Sequence, residues 1–397
     1  MAGGKVRMTR LRIGYTLLSE GLDRMRQIRN ARWAGDGNLY SLLVAEGQLQ
    51  AVDPSGDCWE GSADSIDLAG AWVSPGLVDL QLNGALGVEF SELEGDEGLE
   101  QLGRISTYLW SIGLSAWLPT LISVPVEKLQ GALAVIGRFR PPKSGARILG
   151  VHLEGPFLNP EYEGAHMRRY LLPLTVEDAK CVLGDYASLV KLVTLAPELD
   201  PDGQTIPWLV AQGIHVSLGH TAATFEQAQR AFDAGARLVT HIFNAQRPFH
   251  HREPGVVGAA LLDERVQCLC IPDGIHLHPA ATQLLLRAKG EAGLIPVSDA
   301  VAPLGIADGR YDWHGLAITV RAGQVTLEDG RLAGSALSLT DVLARLVGQC
   351  GVDPGVALRL GALQPRRVLG EPVDWPPDAD LLVWPPGKDR PERLEVR

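Results

Sequence analysis

Several apolar runs of this 397-residue chain end on side chains that can bind a metal or carry a proton. GVHLEGPF brings His152 and Glu154 to one face of a strand and stops at Gly155-Pro156. VSLGHT ends at His220, and VTHIFNA places His241 directly after its apolar residues, with Asn244 beyond. IPDGIHLH carries Asp273, His276 and His278, and PVSDAVAPLG ends at Asp299. Singly, each has an ordinary reading: a strand-end histidine bonded in the core or rim, a buried Glu154 accepting backbone N–H groups, or Asp299 capping a following helix. Together they offer one carboxylate and two imidazoles on separate segments, with another aspartate one segment away. Glutamate with two histidines is a ligand set for a catalytic Zn²⁺ and leaves a fourth position for water. Such an ion brings the pKa of its water to about 7, and a nearby carboxylate can take the proton. The constellation points to a metal-dependent hydrolase.

A second feature is the run SPGLVDLQLNG. Strand side chains alternate faces, so Gln81 and Asn83 should project together from the end of the strand. Two neutral amides aimed at one spot either satisfy loop backbone or hydrogen-bond around a site.

The elements that must position these residues alternate along the chain. Strands are expected at Leu77–Leu82, Ala116–Ile122, Ile148–Leu153, Lys191–Leu195, His215–Leu218, Leu238–Phe243, Gln267–Ile271 and Leu294–Val297. Amphipathic helical stretches at Gly98–Ile112, Val124–Phe139 and Thr224–Ala234 lie between several of them, and Asn244–Arg265 reads as a long loop with one short helix. Eight strands with helical crossovers predict an α/β fold, a (β/α)₈ TIM-like barrel whose strand ends meet at the C-terminal face. A doubly wound open sheet has the same strand count. The flanks differ. Tyr40–Val52 reads as a hairpin turning at Glu46-Gly47, Leu316–Leu332 as short strands with Gly turns, and Asp378–Trp384 as a further strand. These imply a small β module built from both chain ends, with helices at Ser338–Cys350 and Val356–Leu363 returning to the barrel. The expected division is 1–73 and 371–397 for that module, 74–307 for the barrel, 308–335 for side-domain strands and 336–370 for the returning helices.

Composition narrows the classes. The net charge of −11, from 36 basic and 47 acidic residues, argues against a nucleic-acid or anionic-membrane surface. No apolar run suits a bilayer span, and the broken apolar stretch near the N-terminus does not read as a signal peptide. Cys58, Cys181, Cys268, Cys270 and Cys350 form no CxxC pair, which fits thiols in a reducing cytoplasm. Cys268 and Cys270 share one strand face and are read as core.

The strings PGLVDLQLNG, GVHLEGPFLNPEYEGAH, VTLAPE, VSLGHTAAT, THIFNAQRPFHHREPGVVG, PDGIHLHP, VSDAVAPLG and LAGSALSL occur in that order. In this the chain resembles the N-acetylglucosamine-6-phosphate deacetylases of the amidohydrolase superfamily, from about Trp72 to Gly370. The resemblance implies a (β/α)₈ barrel with a small β-sandwich domain built from both chain ends, and hydrolysis of N-acetyl-D-glucosamine 6-phosphate in amino-sugar catabolism by a cytoplasmic homodimer. It implies one divalent metal per chain, Zn²⁺ first with Fe²⁺, Co²⁺ or Mn²⁺ as alternatives, held by Glu154, His220 and His241. Asp299 is implied as general base and acid, and His166 as the residue that orients or polarises the acetamide. Ala165, Asn244, Ala245, Asp273, Gly274, Ile275, His276, Leu332, Ala333 and Gly334 fall in substrate-contacting segments. Arg252 and His276 resemble phosphate partners, the arginine reaching across the dimer interface. Most amidohydrolases carry His-x-His where this chain has Gln81-Leu-Asn83, so the amides resemble remnants of a second metal's ligands.

The chain departs from the family pattern at Gln246, in the place of a methionine, at Ser298 before the aspartate, and at Met167-Arg168-Arg169 after His166. These bear on fine substrate preference. Rival functions are deacetylation of the galactosamine epimer, another amidohydrolase such as a cyclic amidase or deaminase, and a non-catalytic sugar-phosphate sensor. A cyclic amidase would not need Arg252 with His276, and a sensor would not need Asp299.

Overall fold

The structure, a computed structural model, describes residues 26–54, 64–200, 202–313, 315–378 and 380–394. Cys58 and the N-terminal stretch lie outside the described residues. Eight parallel strands follow one another in space in chain order. They are β1 (Leu77–Leu82), β2 (Leu114–Leu121), β3 (Val151–Glu154), β4 (Val190–Leu195), β5 (His215–Leu218), β6 (Leu238–Val239), β7 (Gln267–Cys270) and β8 (Leu294–Pro296). Sequential parallel pairing alone would suit an open sheet. The ring is closed, however, by a parallel bridge between Leu82 and Ala300 and by Asp299 N–H donating to the Gln81 carbonyl at 2.9 Å. Every residue of β1 and β2 is buried, as expected of parallel strands covered on both faces. Val78, Leu80, Leu118, Leu192, Leu269 and Ile295 fill the interior. A helix such as Gly95–Ser111 packs outside through Leu102, Ile105 and Leu109.

Two expected strands change at their ends for reasons that matter to the site. Leu238–Phe243 shortens to Leu238–Val239 because His241 and Phe243 take positive φ, at 27° and 78°, which no strand continues. Ile148–Leu153 splits into Arg147–Ile148 and Val151–Glu154 around Gly150. After β5, Thr224 and Gln227 form a reciprocal capping box that starts the helix Phe225–Asp233 close behind His220. The hairpin at Glu46-Gly47 is present, with both residues at positive φ as a two-residue turn requires.

Strands from both chain ends join in a seven-stranded sheet with its own apolar cluster around Ile28, Leu42, Val73 and Leu381. Strands Gly309–Trp313, Leu316–Arg321, Gln324–Leu327 and Leu332–Ser335 form a separate four-stranded sheet. Its apolar side chains, Trp313, Ile318, Val320 and Val325, belong to the barrel's core cluster instead. Ser335 bridges to Ala300, which fastens this sheet to the closing edge of the barrel. Cys268 and Cys270 are buried free thiols of the core. No helix among the described residues is long and apolar enough to cross a membrane.

Candidate active site

Glu154 ends β3, while His220 and His241 follow β5 and β6 by two residues each. Their ligand atoms converge. Glu154 Oε1 lies 3.1 Å from His220 Nε2 and 3.0 Å from His241 Nε2, and the two Nε2 atoms are 3.2 Å apart. His220 Nδ1 lies 2.8 Å from the Tyr162 carbonyl, which can only accept, so Nδ1 carries the proton and Nε2 of the neutral ring a lone pair. A carboxylate and imidazole lone pairs held face to face call for a cation. Bonds of about 2.0–2.1 Å in a tetrahedron give edges of about 3.3–3.4 Å, close to the spacing found here. All three residues are buried, and the donor set fits a divalent ion.

His220, His241 and Asp299 all hold positive φ, at 49°, 27° and 47°. Non-glycine residues in this region cost about 1–2 kcal/mol each by clash of Cβ with the backbone. Three such residues, just after β5, β6 and β8, turn their side chains inward where a strand would have alternated them. The strain is concentrated at the candidate chemistry.

Gln81 Nε2 donates to Glu154 Oε1 at 3.0 Å and to Asp299 Oδ1 at 3.1 Å, and Asn83 Nδ2 donates to Asp299 Oδ1 at 2.8 Å. The reverse amide orientation would set carbonyl oxygens against carboxylates, so the N–H groups must face inward. Burial and then the Glu154 charge push the Asp299 carboxyl up to about 6, against the opposing effects of His241, His276 and Asn83. Burial also raises Glu154, but the His220 and His241 rings set against its Oε1 outweigh that effect and hold the carboxyl well below the usual range. Two close carboxylates are thereby driven apart in acidity, the pattern of a ligand beside a proton carrier.

His166 Nδ1 accepts the Ser123 backbone N–H at 3.3 Å and lies 3.1 Å from Ser123 Oγ. In the neutral ring the proton is therefore on Nε2, which lies 4.0 Å from Glu154 Oε2 and is able to donate to an oxygen placed over the Glu154–His220–His241 cluster. His276 Nδ1 donates to Asp273 Oδ2 at 2.8 Å, and Asp273 Oδ1 also accepts the Ile275 and His276 N–H groups. Asp273 thus orients His276 from behind.

A cavity of about 480 Å³ opens over these groups. Asn83, Glu154, Ala165, His166, His220, His241, Asn244, Ala245, His276, Asp299 and Leu332 to Gly334 line it. Among the expected site residues, Arg252, Asp273, Gly274 and Ile275 lie outside that lining. Arg252 is exposed and donates to His251 Nε2 at 2.8 Å. His152 is fully buried outside the cavity lining, bonded to Thr194 Oγ1 and the Leu80 carbonyl, and burial lowers it to about 4. His278 caps the helix Pro279–Lys289. The sequence reading missed Ser123, Trp313, Arg168 and Arg331. Arg331 lines the mouth and donates to the Gly164 carbonyl at 2.7 Å. Only the arginines' place in quoted motifs or beside them hinted at a role. Ser123 and Trp313 carry no signal until the fold brings them in.

Trp313 is held by Glu89, whose Oε1 accepts the indole Nε1–H at 2.6 Å and the Ala302 N–H at 2.8 Å. Burial pushes the Glu89 carboxyl up to about 8, so the folded chain keeps a proton there that the unfolded chain releases near 4.3. Where the folded state binds more protons, stability falls as pH rises, here from about 4 to about 8. Melting temperature should therefore fall between pH 6 and pH 8 by this contribution. Glu89→Gln keeps an acceptor for both donors and should flatten that slope; an unchanged slope would show that Glu89 is ionised in the folded protein.

No family model matches the chain. Among curated proteins, the N-acetylglucosamine-6-phosphate deacetylase of Mus musculus is 38% identical over 377 residues, which cover 90% of this chain and 91% of that protein. The N-acetylgalactosamine-6-phosphate deacetylase of Escherichia coli O157:H7 is 32% identical over 346 residues, covering 87% and 88%. Among solved structures, a variant of the N-acetyl-D-glucosamine-6-phosphate deacetylase of Mycobacterium smegmatis in complex with N-acetyl-D-glucosamine-6-phosphate superposes with a TM-score of 0.81. It is 30% identical, and the match covers 90% of this chain and 94% of the other.

Proposed function

The chain belongs to the N-acetylglucosamine-6-phosphate deacetylase family, and on that premise we propose that it hydrolyses N-acetyl-D-glucosamine 6-phosphate to acetate and D-glucosamine 6-phosphate. The observation that carries this reading is the meeting, in one cavity, of the Glu154–His220–His241 cluster with Asp299 and the His166 donor. Glu154, His220 and His241 would hold one divalent ion, Zn²⁺ by donor type, with Fe²⁺, Co²⁺ or Mn²⁺ as alternatives. When bound, the ion acidifies water and favours negative charge on oxygen. Asp299 accepts a proton from the attacking water, whose oxygen bonds to the acetamide carbon. His166 Nε2–H donates to the carbonyl oxygen as it gains negative charge. Asp299 then passes its proton to the nitrogen, and the C–N bond breaks to give acetate and the amine. An amine leaves poorly unless protonated, so one carboxylate serving twice suits the reaction.

His276 and Asn244 face the sugar from the β6–β7 side, with Ala245 and Leu332 to Gly334 as backbone contacts. Arg252, exposed on one chain, fits a role on the partner's substrate in a homodimer, and the enzyme would work in the cytoplasm. Arg252→Ala should raise KM for the phosphorylated sugar far more than for the free sugar, because charge-assisted bonds to phosphate are lost. Equal effects on both would make the arginine structural. Mixing Arg252→Ala and Asp299→Asn chains should restore about a quarter of native activity if random C₂ pairing leaves one intact site per mixed dimer. The test of the function is acetate release from N-acetylglucosamine 6-phosphate, compared with the galactosamine epimer and the unphosphorylated sugar. Absence of release from both phosphorylated sugars by metal-loaded protein would overturn it.

A further inference from the structure

The cavity has two chemically different flanks. On the side of β6 and β7 it presents Asn244 and His276, which suit hydroxyl and phosphate groups. On the side of β1, β2 and β8 it presents Ile122, Val301 and Trp313, all at most 7% exposed. Ile122 directly precedes Ser123, the partner of His166, and Val301 lies two residues after Asp299. The apolar flank therefore adjoins the two groups that would meet the carbonyl oxygen and the leaving nitrogen. An amide whose nitrogen carries the sugar toward His276 must direct its acyl carbon chain away from the sugar, toward this flank.

We propose that Trp313, with Ile122 and Val301, forms the acyl pocket and limits the substrate's N-acyl group to acetyl. The inference rests on the deacetylase reading. Glu89 makes the wall rigid, because one oxygen ties both the indole and the Ala302 N–H next to Val301. Behind the wall, Ile122 and Ala165 also line a second cavity of about 200 Å³. A short acyl chain is thus bounded by side chains that cannot easily retreat, while truncation of either wall would give it room. One methylene in an apolar pocket is commonly worth about 10–200-fold in discrimination.

The experiment compares kcat/KM for the N-acetyl, N-propionyl and N-butyryl forms of glucosamine 6-phosphate in metal-loaded wild type and in Trp313→Ala. Wild type should favour acetyl over propionyl by at least about tenfold. Trp313→Ala should shift that ratio toward propionyl or butyryl by at least about tenfold, whatever its absolute rate. Ile122→Ala, which opens the partition toward the second cavity, should shift the ratio in the same direction and carries the test if the tryptophan variant fails to fold. Wild type that releases acetate while folded variants keep the native acyl ratio would overturn the pocket and leave the function standing. Wild type inactive on every acyl form would overturn the function itself.

Discussion

Asp299→Asn is expected to lower turnover by at least about 10²-fold while the protein still binds its metal, since positioned acid–base catalysis contributes about 10²–10⁴-fold. The substitution keeps size and one oxygen, and leaves Glu154, His220 and His241 untouched. It removes the carboxylate proposed for both proton transfers. Gln81 Nε2 and Asn83 Nδ2 now hold the Asp299 oxygen at 3.1 and 2.8 Å, so the carboxylate is already aimed. Their donation would persist to the amide oxygen of Asn, which makes gross misfolding a poor explanation for lost rate. Turnover near wild type would sink the assignment. The pH profile gives a second reading. Asp299 must be ionised to accept a proton, and burial with the Glu154 charge raises it to about 6. A cation among the ligands offsets the repulsion from Glu154, so the acid limb of kcat should lie at or below about pH 6, with rate falling as pH falls.

The active protein is expected to contain one equivalent of divalent metal per chain, with chelation abolishing activity and metal restoring it. Imidazoles at positions 81 and 83 would offer lone pairs to a second ion. The amides there turn N–H groups inward and spend them on Glu154 and Asp299. In this arrangement neutral donors do part of what a second cation would do, stabilising two close carboxylates without adding charge. Amide oxygens are also weak, hard donors beside imidazole. The three-residue cluster remains complete with a water in the fourth place. Elemental analysis after exhaustive dialysis checks the ratio. Two tightly bound ions, both needed for turnover, would require the amides to flip and act as ligands.

Much of this site was legible in the sequence because parallel strands put their C-terminal residues at one face. A run such as VSLGHT therefore locates His220 even when strand limits shift by a residue or two. Glu154 and Asp299 were found in the same way. What escaped notice was supplied by backbone or by distant chain. The Tyr162 carbonyl that sets the His220 tautomer has no side-chain signature, and any residue type provides it. The shortened β6 depended on positive φ at His241 and Phe243, which a run of β-formers such as Leu238-Val239-Thr240 does not announce. Trp313 carries no signal of its own within the stretch 308–335, because only the path of the separate four-stranded sheet brings it to the cavity wall. Arg252 shows the opposite case: its motif was plain, yet one chain leaves it exposed and away from the cavity.

The closing edge of the barrel also sets an order of assembly. Glu154, His220 and His241 are contributed by β3, β5 and β6 and their loops, a stretch made in the middle of synthesis. Asp299 comes with the last barrel strand, 218 positions after Gln81, the residue it must meet. Ser335, which pairs with Ala300 at the same edge, is later still. Contacts so distant along the chain carry the greatest loop-closure cost and tend to form late. The nascent chain therefore carries the three side chains proposed as metal ligands before the proposed proton carrier is made, so that metal capture can precede catalytic competence.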